Sequence, residues 1–164
     1  MTQVNSEDKA VYNANTSIEE DDKAIANALR ILQKRLVQTS FEMTSPDSVK
    51  EYLTLKLADI EHETFNVLYL NNQNKLIAFK EEFKGTIDSC SVFPREIVKS
   101  ALACNANAVI FAHNHPSGMC EPSQADKNIT AKLSDALNMI DIRTLDHLIV
   151  AGINTYSFAE NGLI

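Results

Sequence analysis

The sequence predicts an α/β (α+β) domain, a mixed β-sheet flanked by helices. Three observations carry this. Segments with helical periodicity alternate with segments of strand character, the pattern of layered folds. One stretch, "AVIFAH" at residues 108–113, is apolar almost throughout, which suits a central strand. Hydrophobic residues make up 45% of the 164, enough for a real core in one domain.

The elements follow in order. Residues 1–18 are polar and acidic with few large apolar side chains, the composition of a disordered tail. Residues 20–37 predict an amphipathic helix, with Ile25, Leu29, Leu32 and Leu36 recurring at helical spacing. Acids stand at its start and Lys34 and Arg35 near its end, as the helix dipole favours. We assign residues 19–44 to this N-terminal helix and 45–164 to the main domain. Ser45 can cap a second helix and Pro46 fits its first position. Val49, Leu53 and Leu57 form its inner face.

Residues 63–70, "ETFNVLYL", read as a strand with Phe65, Val67 and Tyr69 on one face and Glu63 on the same parity. "NNQN" is a turn and residues 75–83 a return strand, which completes a hairpin. A further extended piece opens at Gly85. Pro94 starts a helix whose buried side holds Ile97, Ala101, Leu102 and Ala106. The apolar strand follows, then a loop rich in breakers. Ser123 caps the next helix, with Asp126 at the N3 position of a capping box. "LDHLIVAG" is a strand and "TYSF" a last short one.

Composition narrows the function classes. The net charge of −7 gives no support to a dominant nucleic-acid surface. No run of 18 apolar residues predicts a membrane span. The start is neither basic nor apolar, so no secretory signal is expected and the location predicted is cytoplasmic. Cys90, Cys104 and Cys120 are odd in number and widely spaced, which fits a reducing compartment.

The chemistry concentrates in "FAHNHPSG", residues 111–118. Residues i and i+2 of a strand point the same way, so His113 and His115 can reach one cation. They lie at a strand's carboxyl end, where open α/β sheets build their sites. Pro116 ends the strand and Gly118 lets the backbone turn away. A metal site needs a third ligand, and a catalytic one an open position as well. Asp126, eleven residues after His115 and on the first turn of a helix, is the candidate. Ser123 shares that turn. Plainer readings stand beside these: a surface histidine pair, a capping acid and an N-cap serine. Both can hold, since a loop that folds back aims the capped helix at the strand end.

Cys120 is a rival ligand. Asp146 and His147 should face opposite sides of their strand, as hydrogen-bonded buried groups or as an orienter of a ligand. His62 alternates away from Glu63 and reads as exposed. Arg95 reads as solvated or as a substrate contact.

These residues reach a known pattern. H-x-H, ten intervening residues, then D, with S three before it, resembles the JAMM (JAB1/MPN/Mov34) metalloprotease signature. "GTIDSCSVFPREIVKSAL", "HNHPSG", "PSQAD", "DHLIV" and "SFAENGLI" look like its RadC-like branch, and the resemblance runs from about Ser45 to the C-terminus. It implies the JAB/MPN fold, a cytidine-deaminase-like mixed sheet between helices. It implies Zn²⁺ on His113, His115 and Asp126, with Ser123 hydrogen-bonding the activated water or an oxyanion. It implies a general-base glutamate in an E-x-x-G-h-L-like setting (h, apolar). Glu63 matches, with Asn66 where glycine is common, and Glu61 competes.

The activity implied is a zinc-dependent hydrolase, a metallopeptidase or isopeptidase acting on a peptide or protein substrate. Two alternatives come from the same resemblance. One is a DNA-repair-associated protein, DNA-binding or a metal-dependent nuclease. The residues before the shared region show no helix-hairpin-helix pattern, so the expectation is a short form without that module. The other is a non-catalytic zinc-binding interaction module. The helix at 20–37 would pack on its own domain or on a second copy, the latter giving a homodimer.

Overall fold

The computed structural model describes residues 18–38, 45–85 and 92–164. The expected disordered tail over residues 1–18 lies outside the described residues except for Ile18, which opens the first helix; the connection at 39–44 and the extended piece expected after Gly85 lie outside them too. The elements are α1 (Ile18–Gln38), α2 (Pro46–Leu57), β1 (Thr64–Leu70), β2 (Leu76–Lys84), α3 (Pro94–Ala103), β3 (Ala108–Asn114), α4 (Gln124–Asn138), β4 (Arg143–Ala151) and β5 (Asn154–Ser157).

The strands form one sheet in the order β2-β1-β3-β4-β5. β3 and β4 run parallel, and the other neighbours are antiparallel. A parallel pair needs a long crossover, and α4 supplies it. The hairpin turn closes on Asn71, whose side-chain oxygen accepts from the amides of Gln73 and Lys75.

Strand alternation divides the core into two layers. Leu68, Leu70, Ile110, Ala112, Leu148 and Val150 pack against Val49, Tyr52, Leu53 and Leu57 of α2. On the other face Phe65, Val67, Tyr69 and Phe111 pack against Ile97 and Ala101 of α3 and Leu133 and Leu137 of α4. Every residue of β1 and β3 is buried, as strands covered on both sides must be. Each fully buried Leu, Ile or Phe contributes roughly 1.5–3 kcal/mol. This is the mixed sheet between helices that the sequence predicts.

Two details differ. Leu102 is 60% exposed rather than buried. Ile97 and Ala101 are four apart and share a helix face, and Leu102 turns about 100° off that stripe. The first strand begins at Thr64, so Glu63 lies just before it. α1 lies against α2 and β2, with Leu32 touching the core. Ile25 and Leu29 are half-buried, and the side chain of Leu36 lies outside the described ones.

Candidate metal centre

The site forms where β1 begins, β3 ends and α4 starts. β1 and β3 are antiparallel neighbours with Phe65 opposite His113. The residue two before Phe65, on the same parity, is Glu63. β3 brings His113 to the α3/α4 side of the sheet. The ladder to β4 continues one step past the strand, through the His115 amide to the Val150 carbonyl at 2.8 Å. His115 therefore keeps strand-like alternation and points where His113 does.

α4 supplies the third side. The Ser123 hydroxyl accepts from the Asp126 amide at 3.1 Å, and the Ser123 amide donates to Asp126 Oδ2 at 2.8 Å. This is the expected capping box, and it aims Asp126 at the histidines. Ser123 Oγ also donates to Asp126 Oδ2 at 2.7 Å. Its hydroxyl hydrogen thus points at the carboxylate, and an oxyanion contact would require that hydroxyl to turn.

The distances are short. His113 Nε2 and His115 Nε2 are 2.9 Å apart. Asp126 oxygens lie 3.4 Å from His113 Nε2 and 3.7 Å from His115 Nε2. With Glu63 included, one potential ligand atom from each residue lies within 4.8 Å of all the others. His113 and Asp126 are buried, while His115 and Glu63 keep partial access to solvent.

Charge follows from these surroundings. Burial pushes His113 below its ordinary value, against the pull of the Asp126 carboxylate. Asp126 itself raises His115, with desolvation opposing. Burial alone would raise Asp126, but the two imidazoles and Ser123 outweigh it and hold the carboxyl well below the usual range. The site therefore sets a buried carboxyl held toward its ionised form against one imidazole pushed toward its neutral form and one drawn toward its charged form.

The other candidates separate cleanly. Glu61 is exposed and outside the cluster, as is His62. Cys120 is not part of the cluster, and burial pushes its thiol up, away from the ligating thiolate. Arg95 is exposed and paired with Glu96. Asp146 faces away from the metal side. It accepts from the His147 amide, the Ser157 hydroxyl and the Ala159 amide, tying the C-terminal turn to β4. His147 faces the other way and touches His113, with Nε2 2.7 Å from His113 Nδ1.

Sequence reading missed Asn114. It lies between the two histidines and points to the opposite face. There its Oδ1 accepts from the Thr64 amide at 2.8 Å and from Thr64 Oγ1 at 2.9 Å. Its Nδ2 donates to the carbonyls of Ile60 and His62 at 3.0 and 2.9 Å. All four bonding positions of the side chain are used. They clamp residues 60–64, the segment that carries Glu63. Asn66 extends the clamp by donating to Thr64 Oγ1 at 2.9 Å, which gives the residue at the glycine-prone position a local purpose. The available signal was a buried amide one step out of phase with a histidine pair.

Known proteins match this chain over most of its length. The sequence profile of the RadC-like JAB domain covers residues 43–163. The chain belongs to the RadC-like JAB domain family. A UPF0758 protein of Vibrio cholerae is 54% identical over 143 residues, 87% of this chain and 89% of that one. The UPF0758 protein YkfG of Escherichia coli is 52% identical over 145 residues, 88% and 92% of the two chains. A UPF0758 protein of Pseudoalteromonas translucida is 56% identical over 135 residues, 82% of this chain and 60% of the other.

In this RadC-like JAB domain the donor set itself tests whether a metal fits. His115 Nδ1 lies 2.6 Å from the Met119 carbonyl, which can only accept, so in the neutral ring Nε2, which faces Asp126, is the nitrogen left with a lone pair. Two imidazole nitrogens and carboxylate oxygens, converging and largely shielded from water, suit a divalent transition ion. Among the described residues this is the cluster that could hold one.

Proposed function

We propose that this RadC-like JAB domain is a zinc-dependent hydrolase of amide bonds, a metallopeptidase or isopeptidase. One observation carries the reading: Glu63, His113, His115 and Asp126 converge within 4.8 Å. His113, His115 and Asp126 would hold the ion. Three protein ligands leave a position open, the arrangement of catalytic rather than structural sites. When bound, zinc acidifies water toward a pKa of about 7 and polarises a carbonyl.

The chain's own residues do the rest. Glu63, half-buried beside His115, would take the proton of the attacking water and return it to the leaving amine. Ser123 keeps Asp126 oriented, and Asn114 holds the segment that presents Glu63. The substrate is a peptide or protein. The unpaired thiols of Cys104 and Cys120 support a cytoplasmic setting.

Elemental analysis of the purified protein should find one zinc per chain. His113→Ala should lose it, and Glu63→Gln should keep it while losing cleavage of an unbiased peptide library. Zinc retained in His113→Ala would sink the ligand assignment. A wild-type protein that holds zinc and cleaves nothing would favour the non-catalytic module instead.

A further inference from the structure

Behind His113 stands the other buried histidine of the chain, His147 of β4. Phe111 is opposite His147 in the parallel β3–β4 ladder, so His113 is its diagonal neighbour on the same face. Phe65, Phe111 and Phe158 surround the His147 ring, with centroids 5.5, 5.8 and 4.7 Å away. The two ring nitrogens have separate polar partners. Nε2 lies 2.7 Å from His113 Nδ1, and Nδ1 lies 2.6 Å from Thr130 Oγ1.

The direction of these hydrogen bonds is set at one end. Thr130 Oγ1 is 2.5 Å from the Asp126 carbonyl, one helical turn back on α4. A carbonyl only accepts, so the Thr130 proton points there. Thr130 must then accept from His147 Nδ1, which carries the ring hydrogen. His147 Nε2 is left bare and accepts from His113 Nδ1. His113 Nε2 is bare in turn, and it faces His115 Nε2 and Asp126. Asp126 thus acts twice, through its side chain at the site and through its carbonyl at the far end of the chain of bonds.

We propose that Thr130 and His147 are positioning residues that lock the tautomer and ring orientation of His113 as a metal ligand. This rests on the metal-centre reading above. Ligating histidines are generally oriented through their second nitrogen by an acceptor, and losing that partner weakens metal binding about 10–100-fold. Here the acceptor is a neutral imidazole, and its own state is dictated by the α4 backbone. Without the Thr130 hydroxyl, His147 can carry its hydrogen on Nε2. It would then donate to His113 Nδ1 and leave a hydrogen on the nitrogen that should bind metal.

The test uses the full chain and zinc alone. Thr130→Val keeps the volume and removes the hydroxyl, and Thr130→Ser keeps the hydroxyl. Zinc affinity, measured by competition with a chromophoric chelator, should fall about 10–100-fold in Thr130→Val and return close to wild type in Thr130→Ser. In the unmutated protein, nitrogen NMR of the rings should show hydrogen on Nδ1 of both His113 and His147. Equal affinity in wild type and Thr130→Val overturns the relay alone. So does hydrogen on His113 Nε2, and that measurement decides the matter if Thr130→Val fails to fold. A wild-type chain that takes up no zinc overturns the relay and the metal-centre reading together.

Discussion

Asn114 sits between two histidines and faces the other way, so one strand end serves both sides of the sheet. His113 and His115 reach the candidate metal centre, and Asn114 ties down the segment that delivers Glu63. Replacing it by alanine would strand the buried Thr64 amide and two carbonyls. An unsatisfied buried polar group costs about 1–3 kcal/mol. Asn114→Ala should therefore lose at least that much in urea unfolding. Its zinc content should stay intact, because none of the ligands moves with the clamp. Wild-type stability in this variant would show the clamp to be dispensable. The proposed base illustrates a limit of sequence at this scale. Glu61 and Glu63 have the same chemistry and the same parity, and only the observed contacts bring Glu63 to His115.

At the scale of the element, α4 brings two of the residues proposed for the metal centre to one side. Its first turn presents Asp126 and its second presents Thr130, one turn apart on the buried side. Leu133 and Leu137 continue that stripe into the core, so the packing that stabilises the helix also sets its rotation about its axis. The capping box fixes where the helix begins. Ser123→Ala should lower stability by about 0.5–2 kcal/mol and weaken zinc binding with it, since Asp126 loses both the cap geometry and a hydrogen bond. An unchanged unfolding midpoint with unchanged zinc affinity would count against the cap as an aiming device. This element was legible in the sequence nearly to the residue, because caps and helical spacing are local. The end of α3 was less so. Leu102 is apolar, and apolarity alone says nothing about whether a partner covers that side of the last turn.

For the whole molecule, the site joins three stretches far apart in the chain: the approach to β1, the end of β3 and the start of α4. An ion held by the last two, with Glu63 of the first beside it, stabilises the folded state only. With free zinc at a hundredfold excess over Kd, the gain is about 2.7 kcal/mol. For a chain of this size that is a rise in Tm of roughly 5–10 °C. Thermal unfolding should show this shift in wild type, its reversal by a chelator, and no shift in His113→Ala. A wild-type Tm indifferent to zinc would contradict a site that bridges these elements. Most of the fold was legible beforehand: the hairpin, the central apolar strand, the helices between strands and the three-layer arrangement. The order of strands was not, since periodicity gives each strand two faces but does not name its neighbours.

By itself the sequence determined which residues could act together locally. Alternation put His113 and His115 on one side, and a capping box placed Ser123 and Asp126 on one turn. Those relations span a few residues and follow from backbone geometry. Tertiary structure decided what each group meets. It chose Glu63 over Glu61, gave Asn114 its four partners and set His147 behind His113. Each of these depends on β1 and β4 flanking β3, a pairing between segments tens of residues apart that is settled by burial of two whole sheet faces.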